Sequence, residues 1–165
     1  MDKVVSAKKA VAAVNPGICL VPHKARLTSK NIFGLLKDYD IVADGSDNFA
    51  TRYLVNDACH LAGRPLVSAA LLCFDAQIAT FKSYLGGDNP CYRCIFRESP
   101  APGLVPSCAE GGVLGAVAGV AGSLQATEVI KEILGIGTGL SGWMMIHDAL
   151  ESTVRKIRIK PDPEC

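Results

Sequence analysis

The chain lacks any apolar stretch long enough to cross a bilayer: its longest uncharged apolar run, Gly111 to Thr127, is interrupted by four further glycines and falls short of about 20 residues. A buried helix explains that run better. Charge of one sign is equally missing. The net charge of +1 leaves no electrostatic case for nucleic acid or a membrane surface as partner. No signal peptide opens the chain, and its seven cysteines are odd in number and irregularly spaced, so a reducing cytoplasm is the expected setting. Cysteine here points to metal or chemistry. Repeats and low-complexity linkers are absent too, which predicts one domain over 1–165. That length buries roughly two thirds of the unfolded surface without needing disulfides.

What is present is 49% hydrophobic residues, 20% charged residues and sixteen glycines, a composition suited to a close-packed α/β protein. Lys3 to Val14 reads as a helix stopped by Asn15-Pro16-Gly17, because proline restricts its predecessor and glycine releases the chain. Ile18 to Val21 reads as a strand, Ser29 as the cap of a helix through Lys37, and Tyr39 to Asp44 as a strand entering a turn. A helix from Phe49 to Ala62 ends at Gly63-Arg64-Pro65, and Leu66 to Leu72 is a continuous apolar strand of the kind buried on both faces. The order strand, turn, helix, strand predicts a parallel sheet.

Gln77 to Tyr84 alternates and reads as a more exposed antiparallel strand. After it, Leu85 to Glu110 holds three cysteines and four prolines; irregular stretches this long are usually functional or disordered. A long helix from Gly112 to Leu134 sets Val113, Val117, Val120, Leu124 and Ile130 near one face, with Gln125, Glu128 and Glu132 outward. Its Gly115, Gly119 and Gly122 would admit another backbone. Trp143 to Ile146 and Thr153 to Ile159 read as two final strands.

Three constellations could carry chemistry. Asp44-Gly45-Ser46-Asp47-Asn48 ends a predicted parallel strand, where open α/β sheets place ligands; its carboxylates could hold Mg²⁺ on a phosphate, or form an ordinary capped turn. Cys91 and Cys94 have the spacing with which two thiolates share Zn²⁺; a redox dithiol or two inert thiols are the alternatives. Cys108 precedes a predicted helix, whose dipole favours a thiolate nucleophile, or it is a small buried residue. Cys19, Cys59 and Cys73 sit in apolar segments and read as core, and His23, His60 and His147 as structural.

Together, Asp44-Gly-Ser-Asp-Asn48, Cys91-Tyr-Arg-Cys94, Ser107-Cys-Ala-Glu-Gly-Gly-Val-Leu-Gly115 and Gly122-Ser-Leu-Gln-Ala-Thr-Glu-Val-Ile-Lys131 closely resemble the ThiF/MoeB/HesA family, relatives of the ubiquitin-activating enzymes. The likeness runs in order from about Lys3 to Cys165. It implies a Rossmann-like, mainly parallel sheet with helices on both faces, continued by antiparallel strands and a zinc-binding loop. It also implies ATP-dependent adenylation of the C-terminal glycine of a ubiquitin-like sulfur carrier, ThiS- or MoaD-like, for thiamine or molybdopterin biosynthesis, by a homodimer.

By the same resemblance Asp47 would hold Mg²⁺ against ATP, Lys3 would meet a phosphate, and Asp44 and Asn48 would belong to the nucleotide site. Asp47 and Cys108 would be catalytic, Cys108 as a sulfur-linking thiol. Cys91, Cys94 and Cys165 would be three of four zinc ligands. The family's Gly-x-Gly-Gly-x-Gly phosphate loop does not precede Lys3, so the resemblance implies an incomplete adenylation domain, inactive alone. The rival expectation is a zinc-stabilised module that docks the carrier without adenylating it.

Overall fold

A computed structural model describes residues 1–101, 103, 104 and 108–165, of Cys108 and Ala109 without their side chains. Its centre is one five-stranded sheet in the order β1-β2-β3-β4-β5: β1 Val42–Asp44, β2 Leu66–Leu72, β3 Asp75–Phe81, β4 Trp143–Asp148 and β5 Thr153–Arg158. β1 and β2 run parallel, with Ala43 opposite Val67; the three remaining pairings are antiparallel. The α/β class and the antiparallel continuation are as expected, while the parallel part is this single pair. Ile18–Val21 forms no strand. Ile18 and Val21 are each 55% exposed, and among the described residues no strand lies on the outer edge of β1 to pair with them.

Helices cover both faces. On one, α2 (Ile32–Leu36), α3 (Phe49–Ala62) and α4 (Tyr92–Ile95) close over Leu66, Ala79 and Phe81; on the other, α6 (Gly115–Leu134) sets Val117 and Ala121 against Ala69, Ala76 and Ile78. This double cover corrects the reading of β3 as exposed. Its alternation separates two cores rather than core from solvent, and Ala76 and Ile78 are fully buried, with Ala79 and Phe81 at 3%. Each large side chain buried this way contributes about 1.5–3 kcal/mol.

The helix ends follow local chemistry. α1 (Lys3–Val14) stops where Asn15 turns extended and its side chain accepts from the Gly17 N–H at 3.0 Å. Asn48 caps α3, accepting from the Thr51 N–H at 2.9 Å, and Gly63 ends it at φ 65°, a left-handed position glycine takes without strain. Ser29 does not cap α2. The cap position is Asn31, whose side chain braces the preceding turn instead, through the Thr28 N–H and the Arg26 carbonyl.

The face of α6 is the largest correction. Val117, Ala121 and Glu128 are the buried residues, Gln125 reaches the sheet, and Val120 and Ile130 are 41% and 52% exposed. Because the helix is apolar almost all round, its pattern does not choose a face. Buried Glu128 is paired with Lys131. A Cβ added at Gly115, Gly119 or Gly122 would meet nothing within 4 Å, so no backbone packs there among the described residues. No helix among them is long and apolar enough to cross a membrane.

Candidate functional site

The turn after β1 is held through Asp44, Ser46 and Asn48. Asp44, 8% exposed, folds its carboxylate inward, accepting from the Ser46 N–H at 3.0 Å and the Ser46 hydroxyl at 3.2 Å. Arg52, one turn into α3, donates Nε (3.1 Å) and Nη2 (2.9 Å) to the Ser46 carbonyl, its guanidinium 5.5 Å from the centre of the Phe49 ring. Gln125 of α6 donates Nε2 to the carbonyls of Asp44 and Val67, each at 2.9 Å. Asn48 spends its carbonyl oxygen on the α3 cap and its amide on Asp47 Oδ1, at 3.2 Å.

The Asp47 carboxylate faces solvent. The Asn48 amide first, then the backbone N–H of Asp47, with the charges of Lys3 and Arg52 adding, hold it below the usual aspartate value. Lys3 thus lies close enough for its charge to act on Asp47, although the two belong to separate elements. Two cavities meet at Asp47, Arg52 and Leu71. The larger, about 570 Å³, runs past Gln77 and Phe96 to Ser99 and Glu110; the smaller, about 330 Å³, has Gly45, Gly122 and Gln125 in its wall. The arrangement therefore offers an ionised, outward carboxylate at the mouth of the parallel strands, beside a fixed guanidinium. Hard cations and phosphates suit it.

Cys91 and Cys94 straddle the first turn of α4, and the Cys91 N–H donates to Cys94 Sγ at 3.3 Å. The carboxyl-terminal tail returns to them. Cys165 Sγ lies 3.4 Å from Cys91 Sγ, and Cys94 Sγ 3.8 Å from it, so the three sulfurs stand within 4.8 Å of one another. Tetrahedral Zn²⁺ with Zn–S about 2.3 Å separates its sulfurs by about 3.8 Å, so the cluster fits three vertices of a zinc site. The thiols do not titrate alike. At Cys94 burial is the largest influence and opposes ionisation, but backbone N–H groups of Asp162 and Cys91, with the two neighbouring thiols, outweigh it and lower the thiol. Burial, then Cys91 and Cys94, push Cys165 up to about 12.

Side chains carry the cluster to its place. Arg97 donates Nε to Asp162 at 2.5 Å and both Nη groups to Glu164, tying the tail beside α4. Arg93 makes a two-pronged bond to Asp57 of α3, at 2.8 and 2.7 Å, and the Asn56 carbonyl oxygen accepts the Tyr92 N–H at 2.8 Å. Asn56→Ala should destabilise by about 1–3 kcal/mol, because the buried Tyr92 N–H is left without an acceptor, measured as a fall in urea midpoint.

Asp57 supplies a pH test. The Arg93 guanidinium above all holds its carboxyl below the ordinary range, so its stabilising contribution is present above the unfolded value of about 3.9 and lost as pH falls through the lower folded value. Because the pair is two-fifths exposed on each side, the expected loss is below about 1 kcal/mol. Urea midpoints of Asp57→Asn and wild type should converge toward pH 3 and separate near pH 7.

Cys108 opens α5 (Cys108–Gly111), and its side chain lies outside the described residues. Of the cysteines read as core, Cys59 is buried, with burial then Asp44 pushing it up to about 12, whereas Cys19 is exposed and Cys73 half-buried. Arg52, Asn56 and Arg97 are participants the sequence reading passed over, and Gln125 is one it placed on the outward face of its helix. Only Arg52 left a local trace: four residues past a capping Asn48, a helical side chain leans back over the turn before it.

An α/β sheet with a pinned ligand-type turn at its strand ends and a thiol cluster suited to a metal is the class that this fold and site define. The ThiF family profile matches residues 1–165, and the chain belongs to the ThiF family. It is 48% identical over 165 residues to the sulfur carrier protein adenylyltransferase of Thermus thermophilus, covering 99% of this chain and 61% of that protein. It is 49% identical over 164 residues to the adenylyltransferase and sulfurtransferase MOCS3 of Bos taurus, covering 99% of this chain and 35% of that one. The chain thus spans less than two thirds of these relatives. Among solved structures, Escherichia coli MccB shares the fold at TM-score 0.76 and 19% identity, over all of this chain and 49% of its own.

Proposed function

We propose that this chain supplies the magnesium-holding turn and the zinc-type cluster of an ATP-dependent adenylyltransferase whose substrate is a ubiquitin-like sulfur carrier of the ThiS or MoaD kind. The observation that carries this reading is the Asp47 carboxylate: ionised, turned outward, and set where two cavities meet on a turn with its neighbours already bonded. The names of the Thermus and bovine relatives support the choice of reaction. In it the carboxylate of the carrier's terminal glycine attacks the α-phosphorus of ATP. A new oxygen–phosphorus bond forms, the bond to the β-phosphate breaks, and pyrophosphate leaves with the electron pair.

Mg²⁺, when bound, neutralises charge on the phosphates and on the leaving pyrophosphate. Asp47 would hold it. Arg52 and Lys3 would add positive charge at the same mouth, while Asp44 and Asn48 act through the turn's geometry. The larger cavity, walled by Ala70, Leu71 and Phe96, would take the narrow glycine end of the carrier. Cys91, Cys94 and Cys165 would hold Zn²⁺ as a structural tie, with Cys108 the sulfur-linking thiol and the whole a homodimer.

The test is pyrophosphate exchange by the gene product that carries this chain, with carrier, ATP and Mg²⁺. Carrier-dependent exchange is expected. Carrier binding with no exchange would replace this reading by that of a docking module.

A further inference from the structure

Gln125 lies 81 residues from Asp44 in the chain, yet its side-chain amide serves two main-chain oxygens at once, Asp44 O and Val67 O, each at 2.9 Å. Those oxygens belong to adjacent parallel strands, and Val67 is fully buried. Asp44 is the last residue of β1, and the backbone leaves the sheet at its carbonyl. Three residues on stands Asp47, whose side chain has Asn48 as its hydrogen-bonding side-chain neighbour among the described contacts. The aim of that carboxylate is therefore set by where the turn starts and by how Ser46 is held. Arg52 fixes Ser46 from within the same local segment. Gln125 fixes the start from the opposite face of the sheet.

We propose that Gln125 is a positioning residue for Asp47, holding the exit of β1 so that the carboxylate faces the junction of the two cavities. The activity part of this inference rests on the adenylation reading; the geometric part does not. With the amide removed, two carbonyl oxygens at the sheet's mouth lose a donor, one of them on a fully buried residue. The turn then keeps its Ser46 and Asn48 bonds but not its anchor. Loss of general stability would be a different effect, and Val117 provides the control. It lies on the same buried face of α6, 2% exposed, with no bond to the turn.

The experiment has two arms. In residues 1–165, amide hydrogen exchange of Gly45–Asn48 should lose about tenfold protection in Gln125→Met, which keeps length and volume but has no donor, and not in Val117→Ala. In the gene product, the Mg²⁺ concentration for half-maximal pyrophosphate exchange should rise about tenfold in Gln125→Met, with kcat at saturating Mg²⁺ changed less than about twofold. Gln125→Asn, which keeps the amide but draws it back by one methylene, is the variant to read if the methionine form does not fold. Unchanged protection in the turn, or equal loss in Val117→Ala, overturns the positioning role. If wild type shows no pyrophosphate exchange, the adenylation reading falls while the amide arm still decides the role of Gln125.

Discussion

Asp47→Asn should lower carrier-dependent pyrophosphate exchange by roughly 100-fold or more, the scale on which removal of one preorganised electrostatic partner of a transition state is felt. The substitution keeps the size of the side chain and can retain a contact with Asn48, so the turn should stay folded. What it removes is the negative charge that the Asn48 amide, the backbone N–H, Lys3 and Arg52 together favour. Raising Mg²⁺ should recover part of the lost rate if the defect lies in holding the ion. Melting temperatures of the two forms should agree closely, since the carboxylate is exposed and packs against nothing that its amide would disturb. An unimpaired variant would move the magnesium away from this turn.

The second large effect concerns the thiols. Residues 1–165 should bind Zn²⁺, and Co²⁺ in its place should show thiolate charge-transfer absorption, because sulfur separations of 3.4 and 3.8 Å already match a tetrahedral ion. Cys94→Ser should weaken binding by at least about 100-fold, since it takes away one of the three sulfurs that the structure brings together. Zinc present at 100 times its dissociation constant would add about 2.7 kcal/mol to the stability, so a chelator should lower the melting temperature of wild type and leave that of Cys94→Ser unmoved. Equal zinc uptake by both forms would sink the assignment.

The end of α1 and the passage from α3 to β2 were legible because residues whose backbone chemistry interrupts a helix stand there: Pro16 and Gly17, and Gly63 with Pro65. The place of Asp47 was legible for a related reason, since a strand followed by Asp-Gly-Ser-Asp-Asn must turn before its helix. Orientation was harder to read. In α6 apolar residues circle the helix, so the face was decided by what Gln125 could bond to across the sheet, 81 and 58 residues away in the chain, while Glu128 is buried with Lys131, three residues on, as its partner. In β3 alternation was visible but not its meaning, because a period of two looks the same whether the second face meets water or another core. Cys165 could be joined to Cys91 only through family resemblance, as nothing in the spacing brings the tail back; Arg97, Asp162 and Glu164 do that in three dimensions.

At the far side of the sheet, β5 leaves all six of its residues exposed, Val154 and Ile157 among them. Among the described residues β5 is the last strand of the sheet, and an edge carrying aliphatic groups invites a foreign strand to add on and start a fibril. Arg155, Lys156 and Arg158 are interleaved with them, and mutual repulsion between copies makes stacking unfavourable at low ionic strength. Concentrated brine would screen that repulsion, so this protein's colloidal behaviour should follow the salt around it through the rim of the sheet opposite β1.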